Sequence, residues 1–183
     1  MTTDVHLVED QIDNLEVFSG RLLKVQMDRV RLPDGNEAMR EYVRHPGAVA
    51  VIAVLDNGNL IFERQYRYPL RRVFLEIPAG KIDVGEDILA CAVRELREET
   101  GYEAAEWNYL GVIHPCIGYS DERIEFFLAR GLRQVGHALD EEEFLDVIEL
   151  SLEEAYASTL DGRITDGKTI AGLNYARPHL LGK

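Results

Sequence analysis

Cysteine is scarce: the 183 residues carry only Cys91 and Cys116. Two thiols in apolar surroundings and without ligand spacing argue against a disulfide framework or a zinc site, and they fit a reducing cytoplasm. Basic charge is short as well. Twenty Lys and Arg stand against 33 Asp and Glu, a formal net charge of −13. That balance argues against a nucleic-acid backbone or an anionic membrane as partner, since both recruit a cationic surface. Long apolar runs are missing too. No segment reaches the roughly 20 residues of a membrane span, and the opening MTTDVHLVEDQIDNLE is acidic, with no apolar stretch of the signal-peptide kind. Internal repeats and low-complexity tracts are absent. What is present is 46% hydrophobic residues, enough for one well-buried domain or one domain with an appended arm. The expectation is a cytoplasmic globule.

Taken in order, the chain opens on an acidic, weakly apolar lead of about 14 residues, read as a short helix or a frayed end. Residues 16–30 carry partly alternating apolar positions, LPDGN at 32–36 is a turn, and 38–45 resumes extended character, which predicts a hairpin. His45-Pro46-Gly47 breaks the pattern. The predicted division is therefore an N-terminal β arm over 1–46 and a main domain over 47–183. AVAVIAVL, 48–55, reads as a fully buried strand, with a second over 60–66. RQYRYPLRR, 64–72, is the one basic patch in an acidic chain. Residues 107–114, 125–129 and 144–150 read as strands. Ser151-Leu152-Glu153-Glu154 has the capping-box pattern and opens a helix to Leu160, stopped by Asp161-Gly162. A short helix over 164–173 starts at Thr165 or Asp166, and the tail NYARPHLLGK is expected on the surface. The five histidines are scattered without ligand spacing and read as ordinary surface or loop residues.

The densest chemistry lies in GKIDVGEDILACAVRELREETGY, residues 80–102. From Glu86 the spacing predicts a helix: Leu89, Ala92, Val93, Leu96 and the Thr100 methyl recur at three- and four-residue steps, and Gly101 supplies a stop. At about 100° per residue, Glu95, Glu98 and Glu99 gather on a second stripe, roughly a third of a turn from the apolar one. Like charges at this spacing repel, and near a helix C-terminus the dipole disfavours them further. A bare acidic helix end is ordinarily a solvated face. Oxygen ligands at this density also suit a hard divalent cation such as Mg²⁺ or Mn²⁺. A second acidic run, HALDEEE at 137–143, reads on its own as a solvated loop.

The fixed positions Gly80, Glu86, Arg94-Glu95-Leu96, Glu98-Glu99 and Gly101 resemble the Nudix box of the Nudix hydrolases at every one of their spacings. Such agreement arises by chance on the order of once in 10⁸ windows. Tyr102 departs from the usual aliphatic residue. The resemblance implies an α/β fold, the Nudix α/β/α sandwich with a mixed sheet, the box helix packed on it, and an N-terminal antiparallel β arm. It implies divalent metal, Mg²⁺ or Mn²⁺, held mainly by Glu95 and Glu99, with Glu98 assisting and the carbonyl of Ala79 adding a backbone oxygen. Arg94 would orient the glutamates. Arg67 would reach the substrate diphosphate, and Glu76 would support substrate or metal or else pair with an arginine. Glu143, with Glu141 as the alternative, would help activate the attacking water from a mobile loop.

In members that cleave ADP-ribose, a proline commonly lies sixteen residues beyond the box's last glycine. This chain has Ile117 there, with Pro115 two residues early, and keeps Gly118 and Ser120-Asp121-Glu122. The implied reaction is metal-assisted hydrolysis of a nucleoside diphosphate sugar, ADP-ribose giving AMP and ribose 5-phosphate. GDP-mannose, another nucleoside diphosphate sugar or a dinucleotide would satisfy the same box. A non-catalytic ADP-ribose sensor is a different class, against which the three retained helix carboxylates argue. The resemblance further implies a homodimer that exchanges the arm.

Overall fold

The computed structural model describes residues 4–136 and 144–181. The chain divides into two units, residues 1–45 with 116–122, and residues 46–115 with 123–183.

In the first unit a 3₁₀ turn, Asp4–Leu7, precedes three strands: β1, Asp10–Ser19, β2, Lys24–Arg31, and β3, Glu37–Arg44. They pair as an antiparallel meander with β2 in the middle. The expected two-stranded hairpin is thus a three-stranded sheet, and the segment 16–30 is split by a reversal in which Gly20 N–H donates to the Leu23 carbonyl at 2.9 Å. Periodicity reports burial, and β1 hides nothing beyond a half-buried Ile12, so its sequence carries no strand signature. Polar groups do the stitching. The Asp28 carboxylate accepts hydrogen bonds from Gln11 (2.8 Å), Asn14 and Tyr42 (3.3 Å). Residues 116–122 run against β3, where Val43 N–H donates to the Tyr119 carbonyl (2.9 Å) and Asp121 Oδ1 accepts from His45 N–H (2.7 Å).

The second unit is layered around β4, Ala48–Ala53, whose side chains alternate between two apolar clusters. Ala50 and Ile52 face one; Val49, Val51 and Ala53 face the other. A strand buried on both sides needs a layer on each. The remaining strands are β5, Leu60–Arg67, β6, Arg72–Glu76, β7, Ala79–Lys81, β8, Tyr102–Ile113, β9, Ile124–Gln134, and β10, Leu145–Leu150. They form a mixed sheet in the order β7-β4-β9-β8, with β4 and β9 parallel, and an antiparallel sheet in the order β10-β5-β6. Helix α1, Ile88–Thr100, covers one face with Cys91, Ala92 and Leu96. Helices α2, Leu152–Asp161, and α3, Gly167–Leu180, cover the other with Ala155, Leu173 and Ala176. This is the expected mixed α/β sandwich.

The C-terminus departs from expectation. α3 absorbs most of the tail read as surface, because Leu173, Ala176 and Leu180 carry the apolar period through it and Tyr175 packs on Phe126 with ring centroids 5.6 Å apart. Pro178 lies in the last turn, past the buried stretch.

Candidate active site

Asp87 starts α1. Its carboxylate accepts from the N–H groups of Leu89 (3.0 Å) and Ala90 (3.1 Å), two of the donors a helix N-terminus leaves unmet. The helix therefore begins at Ile88, two residues later than the spacing predicts, and Glu86 belongs to the preceding loop. Gly101, at φ 75°, closes the other end and donates its N–H to the Arg97 carbonyl.

The helix also faces differently from expectation. Leu89 and Val93, read as core, are each 39% exposed and line an open groove with Arg94 and Glu98. The inward face is Cys91, Ala92, Glu95, Leu96, Glu99 and Thr100, with Glu95 only 9% and Glu99 only 3% exposed. Glu98 stays at the half-buried edge, so of the three carboxylates on this stripe two are buried and one borders solvent. Gly80 on β7 makes the rotation sterically permissible. A Cβ at that position would lie 1.8 Å from Glu95 Cδ and 2.0 and 2.1 Å from its oxygens.

One guanidinium gathers the acids. Arg94 donates through Nε and Nη2 to Glu86 (2.9 Å each), through Nη1 to Glu95 (2.8 Å) and Glu98 (3.0 Å), and through Nη2 to the Lys81 carbonyl (3.3 Å). This fork offsets the like-charge repulsion along α1. The Arg94 hydrogen bond is the main cause that pulls the Glu86 carboxyl down to about 2, and the same bond pushes the Arg94 guanidinium further up. Ala79 N–H donates to Glu99 Oε2 at 2.9 Å, while the Pro78 carbonyl accepts from Val51 N–H at 2.9 Å, which fixes the strand against the helix.

These residues fit a divalent cation. Two buried carboxylates one helical turn apart, Glu95 in space that a side chain at position 80 would fill and Glu99 beside the backbone of Ala79, form an all-oxygen donor set. Among the described residues no group of three or more His, Cys, Asp or Glu side chains is gathered to hold a metal alone. Mg²⁺ ordinarily takes only one or two carboxylates and completes its shell with water and substrate phosphate.

A second cluster lies at the end of β5 and β6. Glu76, 2% exposed, accepts from Arg67 Nε (2.7 Å) and Nη2 (2.8 Å), and its Oε2 also pairs with Lys168. Burial alone would raise the Glu76 carboxyl, yet Arg67 and Lys168 together hold it below the usual range. Burial opposes the charge on Arg67, but the Glu76 hydrogen bond and the nearby charges of Glu76, Glu99 and Asp166 raise it overall. Of the two roles weighed for Glu76 in the sequence, the geometry displays the arginine pair. Lys168 and Thr169 were missed, and Asp166 was read only as one of two starts of the helix, which the structure makes its N-cap. The available signal was Asp166 followed three residues later by Thr169, a helix-cap pattern, together with a glutamate flanked by core residues that needs cationic partners.

Gly118 lies in the first unit, in an exposed turn where the Cys116 carbonyl accepts the N–H groups of Tyr119 and Ser120, both at 2.9 Å. Glu141 and Glu143 lie outside the described residues.

The NUDIX domain family matches residues 44–173. The chain belongs to the Nudix family. It is 46% identical over 169 residues, 91% of each chain, to a methanol dehydrogenase activator of Bacillus methanolicus. It is 40% identical over 171 residues, 92% of each chain, to an ADP-ribose pyrophosphatase of Bacillus subtilis. A solved ADP compounds hydrolase superposes with a TM-score of 0.86 over 95% of both chains at 24% identity, a likeness of fold.

Proposed function

We propose that this Nudix hydrolase cleaves the diphosphate of a nucleoside diphosphate sugar, ADP-ribose foremost, to AMP and ribose 5-phosphate. The observation that carries the reading is the buried pair of Glu95, seated against Gly80, and Glu99, held by the Ala79 N–H, in a chain 40% identical to an ADP-ribose pyrophosphatase over nine-tenths of its length. Glu95, Glu99 and the Ala79 carbonyl would hold Mg²⁺, with Glu98 assisting. Bound there, the cation supplies positive charge to the diphosphate and lowers the pKa of water.

The chain's own groups do the rest. Arg94 orients Glu95 and Glu98 through its Nη1. Arg67, 42% exposed at its side chain while Glu76 grips its Nε and Nη2, presents cationic surface to a phosphate. Glu143, or Glu141 in its place, takes a proton from the attacking water as the bond between phosphorus and the bridging oxygen breaks. Gly118 is assigned to the substrate side, residues 1–46 to a homodimer interface, and the protein to the cytoplasm.

The test is product identification after incubating the purified chain and Mg²⁺ with ADP-ribose, GDP-mannose, NADH and a diadenosine polyphosphate. Preferential turnover of ADP-ribose supports the substrate; preference for another panel member replaces it. Tight binding of ADP-ribose without product moves the chain to the sensor class.

A further inference from the structure

We infer that Lys168, on the first turn of α3, is a positioning residue for the diphosphate-binding arginine: by holding Oε2 of Glu76 it fixes the guanidinium of Arg67. The inference rests on the reading that Arg67 faces the substrate diphosphate.

Glu76 is a buried carboxylate at the end of β6, and such a group is tolerated when its oxygens are met by donors. Arg67 meets both, and Lys168 adds a second cation to Oε2. The extra cation matters because of what lies beside Arg67. Its direct cross-strand partner is Arg72, and like charges in that relation repel. Arg72 is held by Thr165 Oγ1 at 2.9 Å and by the Phe74 ring, 4.3 Å from its guanidinium carbon. Arg67 therefore depends on Glu76 for its placement, and Glu76 depends on Lys168 for a carboxylate plane that does not turn.

Lys168 is fixed in turn. Asp166, the cap of α3, accepts from Lys168 Nζ at 3.0 Å and from the Thr169 N–H and hydroxyl at 3.0 and 2.6 Å. Thr169 Oγ1 accepts the Ile77 N–H at 3.0 Å. One turn of α3 thus grips residue 76 by its side chain and residue 77 by its backbone, while two residues further Ala79 N–H binds Glu99 on α1. Residues 76–79 tie the phosphate-side cation to the metal-side carboxylate, and Lys168 sets the first of those ties.

The experiment compares wild type, Lys168→Gln and Lys168→Arg in three measurements: steady-state hydrolysis of ADP-ribose with Mg²⁺, calorimetric binding of ADP, and melting temperature. The expected result for K168Q is a KM raised about tenfold or more with kcat within about threefold, ADP binding weakened by a similar factor, and most of both restored in K168R. A lowered melting temperature with KM and ADP affinity at wild-type values would overturn the inference, as would an effect confined to kcat. Should K168Q fail to fold, Lys168→Met keeps the packing of the stem and is read in the same way. Wild type inactive on ADP-ribose would remove the proposed substrate and leave the inference to the ADP calorimetry. Wild-type activity with K168Q at unchanged KM and ADP affinity would remove the inference alone.

Discussion

Gly80 and Glu95 compete for one volume: a Cβ on residue 80 would sit 1.8 Å from the Glu95 carboxyl carbon. The backbone of β7 and a side chain of α1 approach each other at this point more closely than any other residue type at position 80 allows. The first glycine of the box is therefore a steric requirement of the carboxylate, separate from any need for unusual backbone angles.

Gly80→Ala should push Glu95 out of its seat. The chain is expected to fold with a stability loss of about 1–3 kcal/mol, the usual range for overpacking, and to lose roughly 100-fold in turnover from a displacement near 1 Å. Denaturant midpoints and ADP-ribose kinetics on one preparation check both. Unchanged turnover would show that Glu95 is not positioned through this contact.

Glu99→Gln removes a charge and keeps an oxygen that can accept the Ala79 N–H. Folding should survive, and turnover should fall by about 100-fold or more if Glu99 holds the cation. Circular dichroism beside the kinetic assay separates the two effects, and near-wild-type turnover would remove Glu99 from the metal site.

The Arg94–Glu86 pair predicts an acid limb. A carboxyl depressed in the folded state stabilises above its unfolded pKa and loses that stabilisation as pH falls through its folded value. For Glu86 the window runs from its ordinary 4.5 down to about 2. Urea midpoints of the wild type should fall across that window, and Glu86→Gln should fall less steeply. Equal slopes would mean that the pair contributes nothing to acid stability.

Glu143→Gln should slow turnover while leaving metal affinity nearly unchanged, as expected for a group that takes a proton rather than binds the cation. Parallel Glu141→Gln measurements decide between the two positions: a silent E143Q with a slow E141Q transfers the role.

The sequence displayed the layering of the second unit plainly, because β4 is an unbroken apolar run, and a strand without a polar side has to be covered on both faces. It misled at α1 for a definite reason. Apolar counting assigns carboxylates to solvent, yet Glu95 and Glu99 point inward while Leu89 and Val93 point out. Acids placed for chemistry run against the pattern that locates a core. β1 escaped because an unburied strand has no period, and α3 was cut short because Pro178 and polar neighbours hid the Leu173–Ala176–Leu180 stripe. The box residues were identifiable from their spacing. The link from Glu76 to Lys168 was not, since it spans 92 positions and nothing local marks it.

The most direct measurement is the release of AMP from ADP-ribose by the purified chain, followed as Mg²⁺ is added and then chelated. AMP and ribose 5-phosphate should appear in equal amounts, only with the cation, and stop when it is removed. Intact ADP-ribose in the presence of folded protein and Mg²⁺, or the same rate of AMP release in chelator, would contradict the account.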